Sequence, residues 1–239
     1  MYTLHIANKN YSSWSLRPWV MMKVAGIAFD EQLHPFKDVK EPGADGTANS
    51  AAFRVFSPAG KVPCLHDGDL VVWESLAILE YLAERHEGLW PADRKARSFA
   101  RSLATEMAAG FFALRGDCPM SVGVQVRLHG RSESLERDLM RLDDAWHAGL
   151  DAFEGPYLAG DRFTIVDAMF CPVAWRIATY DLPLSETSLG YAQRLRDLPA
   201  MREWEREALA ETFRETGHDL EIASLGTLIR DRRVSAAAP

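Results

Sequence analysis

The apolar residues of this chain change their period at Leu89-Trp90-Pro91-Ala92-Asp93, and this switch limits the possible folds more than any other feature. Before it, short alternating runs and short helical runs follow one another. After it, helical spacing takes over. Leu135, Leu139, Leu142, Trp146, Leu150 and Phe153 step by 4, 3, 4, 4 and 3 residues, the stripe one buried helix face requires. A chain of 239 residues can fill two such units without disulfides or a structural metal. The reading is a mixed α/β unit over 1–86, a linker over 87–95, an all-helical unit over 96–230 and a flexible tail over 231–239.

Within the first unit, Tyr2, Leu4 and Ile6 alternate with polar neighbours as in a half-buried strand. Ser12 to Gly26 reads as a helix, with Trp19, Met22 and Val24-Ala25 at helical spacing and Gly26 as its stop. Phe29 to Phe36 alternates again, closed by Pro35. Asp38 to Ser50 is rich in turn residues (Pro42, Gly43, Asp45, Gly46) and suits a lid or a plain surface insertion. Val62 to Leu65 and Leu70 to Trp73 flank Asp67-Gly68-Asp69, a hairpin signal, and Ser75 to Arg85 is helical. In the second unit, Arg97 to Leu114 reads as one amphipathic helix and Leu195 to Leu209 as another. Thr164 and Asp167 have the spacing of a capping box.

Composition removes several classes of function. Thirty-four acidic against 27 basic residues leave a net charge of −7 without a clustered basic stretch, which argues against nucleic acid or an anionic membrane as partner. Cys64, Cys118 and Cys171 form no CxxC, and the seven histidines never fall at i, i+3 or i, i+4, so neither a disulfide framework nor a metal site is expected. No basic leader runs into an apolar segment, and no apolar run approaches the roughly 20 residues that span a bilayer. The expected location is a reducing cytoplasm.

The order strand, helix, strand, hairpin, helix, followed by a helical bundle, is the layout of an N-terminal thioredoxin-like domain joined to a C-terminal all-α domain. In such a domain the reactive group lies where the first strand meets the first helix, because a helix N-terminus stabilises an anion. Here that place holds Tyr11-Ser12-Ser13-Trp14-Ser15-Leu16-Arg17. Serines stand where a redox CxxC would be, so dithiol chemistry of the glutaredoxin kind is lost. A hydroxyl able to stabilise another molecule's thiolate remains.

These residues resemble the serine motif of the zeta-type glutathione S-transferases, and the resemblance covers nearly the whole chain. Lys61-Val62-Pro63-Cys64-Leu65 resembles the family's Val-Pro segment, Glu74-Ser75-Leu76-Ala77-Ile78 its γ-glutamyl-binding motif, and Leu158 to Asp161 with Phe163 to Asp167 its helical folding signature. The resemblance implies glutathione as co-substrate, a small electrophile as second substrate, and a homodimer. It makes Ser12 the thiol activator, with Ser13 and Ser15 as alternatives, and Val62, Pro63, Glu74 and Ser75 the glutathione-binding residues. Glu106 would reach across the dimer to glutathione, and Arg115 would hold an anionic substrate. Trp14 departs from the zeta motif, where a cysteine is usual, and Pro18-Trp19 replaces a Val-Arg pair. The implied activity is a glutathione transferase. A maleylacetoacetate-type cis-trans isomerase and a non-catalytic glutathione-binding or regulatory module are the alternatives. Phe111, Phe112, Leu114 and Trp175 are expected in the core.

A free thiol of pKa about 8.5 is only roughly 3% ionised at neutral pH. Lowering that pKa by about 2 units takes about 2.7 kcal/mol. One hydroxyl bond to a charged acceptor (about 1.5–3 kcal/mol) with a helix N-terminus (about 0.3–1 kcal/mol) reaches this figure.

Overall fold

The computed structural model describes residues 1–36 and 50–235; the expected lid over 38–50 falls outside them except for its last residue. The N-terminal unit runs β1 (Tyr2–Ile6), α1 (Ser13–Val24), β2 (Phe29–Leu33), α2 (Ser50–Phe53), β3 (Cys64–Asp67), β4 (Leu70–Trp73) and α3 (Ser75–Ala83). The sheet has the order β2-β1-β3-β4. β1 pairs in parallel with β2, Leu4 facing Glu31, and antiparallel with β3, Leu4 facing Leu65. This puts Leu4, Ile6 and Leu65, all fully buried, in the core. Gly68 at φ 59° makes the β3–β4 turn, and Gly26 at φ 67° follows α1, both in a region that side chains with a Cβ avoid.

The second unit runs α4 (Arg94–Ala109), α5 (Phe112–Asp117), β5 (Val124–Leu128), α6 (Glu133–Phe153), α7 (Ile165–Tyr180), α8 (Glu186–Arg196), α9 (Pro199–Ala210), α10 (Thr216–Leu225) and β6 (Gly226–Asp231). The expected thioredoxin-like sheet followed by a helical domain is therefore present. α7 is its central element, with 15 of its residues buried. The Thr164–Asp167 capping box starts it, the Thr164 amide donating to Asp167 Oδ2 at 2.8 Å. α1 packs against α7 as well as on the sheet, so Leu16, Trp19, Val20 and Met22 are all buried. Val24, expected on the buried stripe, is 38% exposed at the helix end.

The structure departs from the local expectations in four places. The helix expected over Arg97–Leu114 breaks at Gly110-Phe111: a Cβ on Gly110 would lie 2.9 Å from the Glu106 carbonyl oxygen, and Phe111 adopts φ 51°. The helical run near Leu195 is two helices, because Pro199 occupies the first position of α9 and cannot continue α8. β5 and β6 form an antiparallel two-stranded sheet within the helical unit, with Val124 and Val126 buried on one face. Beyond β6, Arg233 lies inside the expected free tail. Its guanidinium is nevertheless held by Asp219 and Asp231, each at 2.8 Å, with its side chain 7% exposed.

Candidate active site

The loop from β1 to α1 is tied to the helical unit before it reaches the serines. Glu211, just past α9, accepts from the Lys9 amide at 2.5 Å, the Asn10 amide at 3.3 Å and Asn10 Nδ2 at 3.1 Å. Burial pushes the Glu211 carboxyl up, and these hydrogen bonds pull it back. Lys9 Nζ lies between Glu31, at 2.7 Å, and Glu207, and its ammonium stands 4.8 Å from the Trp19 ring and 5.2 Å from the Trp204 ring. Asn8 Oδ1 accepts from the Phe36 amide at 2.8 Å. Asn8, Lys9, Asn10 and Glu211 carry no periodic signal in the sequence that marks them as this tether.

Ser12 is the residue before α1, with φ −82°, and its side chain accepts no bond from the first backbone amides of that helix. Its Oγ donates to Ser15 Oγ at 2.7 Å, and Ser15 Oγ accepts from the Ala7 amide at 3.3 Å. Ser12 and Ser13 line a cavity of about 550 Å³, and Ser15, fully buried, does not. Two guanidinium groups lie over the Trp14 ring, Arg17 at 3.8 Å and Arg115 at 4.9 Å from its centroid. The larger residue at the motif's third position thus receives cation–π contacts from both. Arg17 is buried, donates through Nε to the Met169 carbonyl at 3.1 Å, and leaves Nη1 without a partner. Burial, then Arg176 and Arg115, hold its guanidinium well below the usual range.

A smaller cavity of about 200 Å³ lies alongside and shares Trp14, Lys61, Val62 and Arg115 with the larger one. The cis Val62–Pro63 peptide turns the chain there, and Glu74 and Ser75 complete the wall. Glu74 sits at φ 70°, a conformation costly for a residue with a Cβ and one that clusters at binding sites. Ser75 Oγ donates to the Trp14 carbonyl at 2.9 Å, which joins the start of α3 to the start of α1. No side chain caps α3, so its first amides remain to receive an anion.

The structure thus brings Ser12, Ser13, Val62, Pro63, Glu74, Ser75 and Arg115 around two adjoining cavities. Glu106 is not among them. Arg141 grips it through two bonds of 2.6 and 2.7 Å, and it lines neither cavity. Phe111, Leu114 and Trp175 are buried as expected, but Phe112 is 70% exposed and lines the larger cavity. Arg176, His218 and Glu221 line that cavity without having been singled out in the sequence. Arg176 donates to the Cys118 carbonyl at 2.8 Å, and burial lowers its guanidinium to about 10. Among the described residues, neither Arg115 nor Arg176 has a carboxylate partner, and no cluster of three metal-ligating side chains occurs. No helix of the described residues is long and apolar enough to cross a membrane.

The chain is 29% identical over 161 residues to the stringent starvation protein A homolog of Coxiella burnetii, covering 66% of this chain and 73% of that one. It is also 29% identical over 163 residues to a probable maleylacetoacetate isomerase of Vibrio cholerae, covering 65% and 75%. A crystal structure of a glutathione transferase homolog from Burkholderia gl BGR1, with bound glutathione, superposes with a TM-score of 0.63 at 21% identity. It covers 87% of this chain and 97% of that one. Residues 11–85 match the family model of the glutathione S-transferase N-terminal domain, and residues 126–207 that of the C-terminal domain. Both halves of the fold, matched in their family order, make this chain a member of the glutathione S-transferase family.

Proposed function

We propose that the protein is a glutathione transferase in which the Ser12 hydroxyl donates a hydrogen bond to the glutathione thiolate. The thiolate then attacks a small electrophile in the larger cavity. The observation that carries this reading is the position of Ser12, which lines the 550 Å³ cavity at the start of α1. To serve the thiolate, Ser12 Oγ turns from Ser15 to the sulfur, and Ser15 keeps its bond from Ala7. Glutathione occupies the smaller cavity. Its cysteinyl backbone pairs with Val62 as an added strand would. Its γ-glutamyl carboxylate meets the uncapped start of α3 at Ser75, and Glu74 receives its amino group. The assembly implied is a homodimer, which light scattering on the purified chain would test. The thiolate absorbance of bound glutathione, titrated against pH, tests the mechanism. The wild type should show a thiol pKa about 2 units below that of free glutathione, and Ser12→Ala should return most of that shift while still binding. An unchanged pKa in Ser12→Ala removes Ser12 from the role.

A second reading is favoured by the two uncompensated guanidinium groups in the cavity wall. An electrophile carrying a carboxylate would pair with Arg115 and Arg176, and a cis-trans isomerase of the maleylacetoacetate type would use such a site. The relatives that bear the isomerase name support it. Arg115→Leu should then raise KM about tenfold or more for acidic electrophiles and spare neutral ones; equal effects on both would end this reading.

A further inference from the structure

His218 stands on α10 and lines the same cavity as Ser12. Its Nδ1 meets Glu215 Oε2 at 2.5 Å. Glu215 is itself buried, and its carboxylate also accepts the amide N–H groups of Gly217 at 3.1 Å and of His218 at 2.6 Å. A carboxylate held by three donors cannot swing away, so it fixes the imidazole plane and leaves Nε2 for the cavity. The ring is further stacked on Tyr11 (centroids 5.0 Å apart, planes at 26°) and on Phe36 (5.7 Å, 14°). Tyr11 is pinned in turn, donating to Asp219 at 3.1 Å and accepting from Arg233 at 3.0 Å. Among the described residues, His218 Nε2 has no hydrogen-bond partner. An oriented imidazole with one nitrogen on a buried carboxylate and the other free in a reaction cavity has the form of a proton-transfer group.

We propose that His218, oriented by Glu215, donates a proton to the electrophile when glutathione adds to a conjugated double bond. The inference rests on the glutathione transferase reading above. In conjugate addition the thiolate sulfur bonds to the β-carbon, and the double bond's π pair moves onto the α-carbon and its carbonyl. That carbanionic centre takes the proton from His218 Nε2, and the imidazole recovers one from water. The net result places the thiol's sulfur and one proton across the double bond. Substitution on an aryl halide is different: the carbon–sulfur bond forms, the halide leaves with its electron pair, and no proton is delivered. His218 therefore matters for one reaction class and not for the other.

The test compares two electrophiles on the purified full chain with glutathione: benzylideneacetone, an aryl enone, and a dinitro-substituted aryl chloride. His218→Phe keeps the stack on Tyr11 and Phe36 but removes the proton. It should lower kcat for the enone about a hundredfold and leave the aryl chloride within about twofold. His218→Gln, smaller and polar, gives the same ratio independently of how well phenylalanine packs. Equal losses on both electrophiles would mean that His218 only packs α10 against the loop, and no loss on either would mean that it has no role; each overturns the proposal. The thiolate titration of bound glutathione separates this failure from that of the underlying reading. An intact thiolate with an unchanged enone-to-chloride ratio overturns His218 alone. A wild-type protein that binds no thiolate overturns the transferase reading and this inference with it.

Discussion

Asp167→Ala reports on the foundation of the site, because Asp167 anchors the start of α7, the helix that buttresses α1 and carries Arg176. Its Oδ1 accepts from the Leu158 amide at 3.0 Å and the Tyr191 hydroxyl at 2.8 Å, and its Oδ2 from the Thr164 amide at 2.8 Å. All three donors are buried. A buried donor left without an acceptor costs about 1–3 kcal/mol, so alanine exposes a gross loss of about 6 kcal/mol. Against this stands the burial of the carboxylate itself, which raises its pKa from 3.8 to about 6. At about 1.36 kcal/mol per unit, removing the ionised group returns about 3 kcal/mol at neutral pH. The expected net destabilisation is about 3 kcal/mol, or about 6–12 °C in Tm for a chain of this size. The sign of the pH dependence follows from the raised pKa. The stability that the protonated group contributes is present in full below pH 3.8 and lost as pH rises through about 6. The deficit of Asp167→Ala should therefore narrow between pH 4 and pH 7.5. Urea melts of both proteins across that range measure it, and a deficit below about 1 kcal/mol, or one that widens with pH, would refute the reasoning.

Glu211 holds the loop that presents Ser12 and touches neither cavity, so Glu211→Ala should lower kcat about tenfold and raise the pKa of the bound thiol. Binding of glutathione should change little; calorimetric affinities that fall as far as kcat would place Glu211 in binding instead. His5 stacks on Phe56 at 4.4 Å and lies beside His34 and His66. Burial, then the charges of His66 and His34, lowers its pKa to about 4. Its contribution is present above the unfolded value of about 6.5 and lost as pH falls toward 4. Because His5 is partly exposed, solvent screening reduces the loss to about 1–2 kcal/mol. His5→Phe should flatten the acid limb of thermal stability by that amount, and an unaltered limb would show that the histidine cluster is not its source.

The alternation of Tyr2, Leu4 and Ile6, the Asp-Gly hairpin, the Leu135–Phe153 stripe and the Thr164–Asp167 cap were all legible in the sequence. Each depends on contacts within a few residues or on one face of one element. The serine motif, Val62-Pro63 and Glu74-Ser75 were legible in the same way, since short motifs at the starts of α1 and α3 and before β3 carry them. Periodicity failed at Gly110 and at Pro199, where one residue outweighed a favourable stripe. It failed again at β5 and β6, whose pairing joins residues about a hundred positions apart and leaves little local trace. What only the tertiary structure decided is which side chains share the cavity. It paired Glu106 with Arg141 and buried Ser15 away from both cavities. Arg176, His218 and the Glu211 tether entered because α7, α9 and α10 fold back onto the loop after β1. Sequence alone determined most of the elements and the motifs at their ends, because those follow from local backbone and side-chain preference. The long-range packing of the helical unit determined the environment in which that chemistry acts.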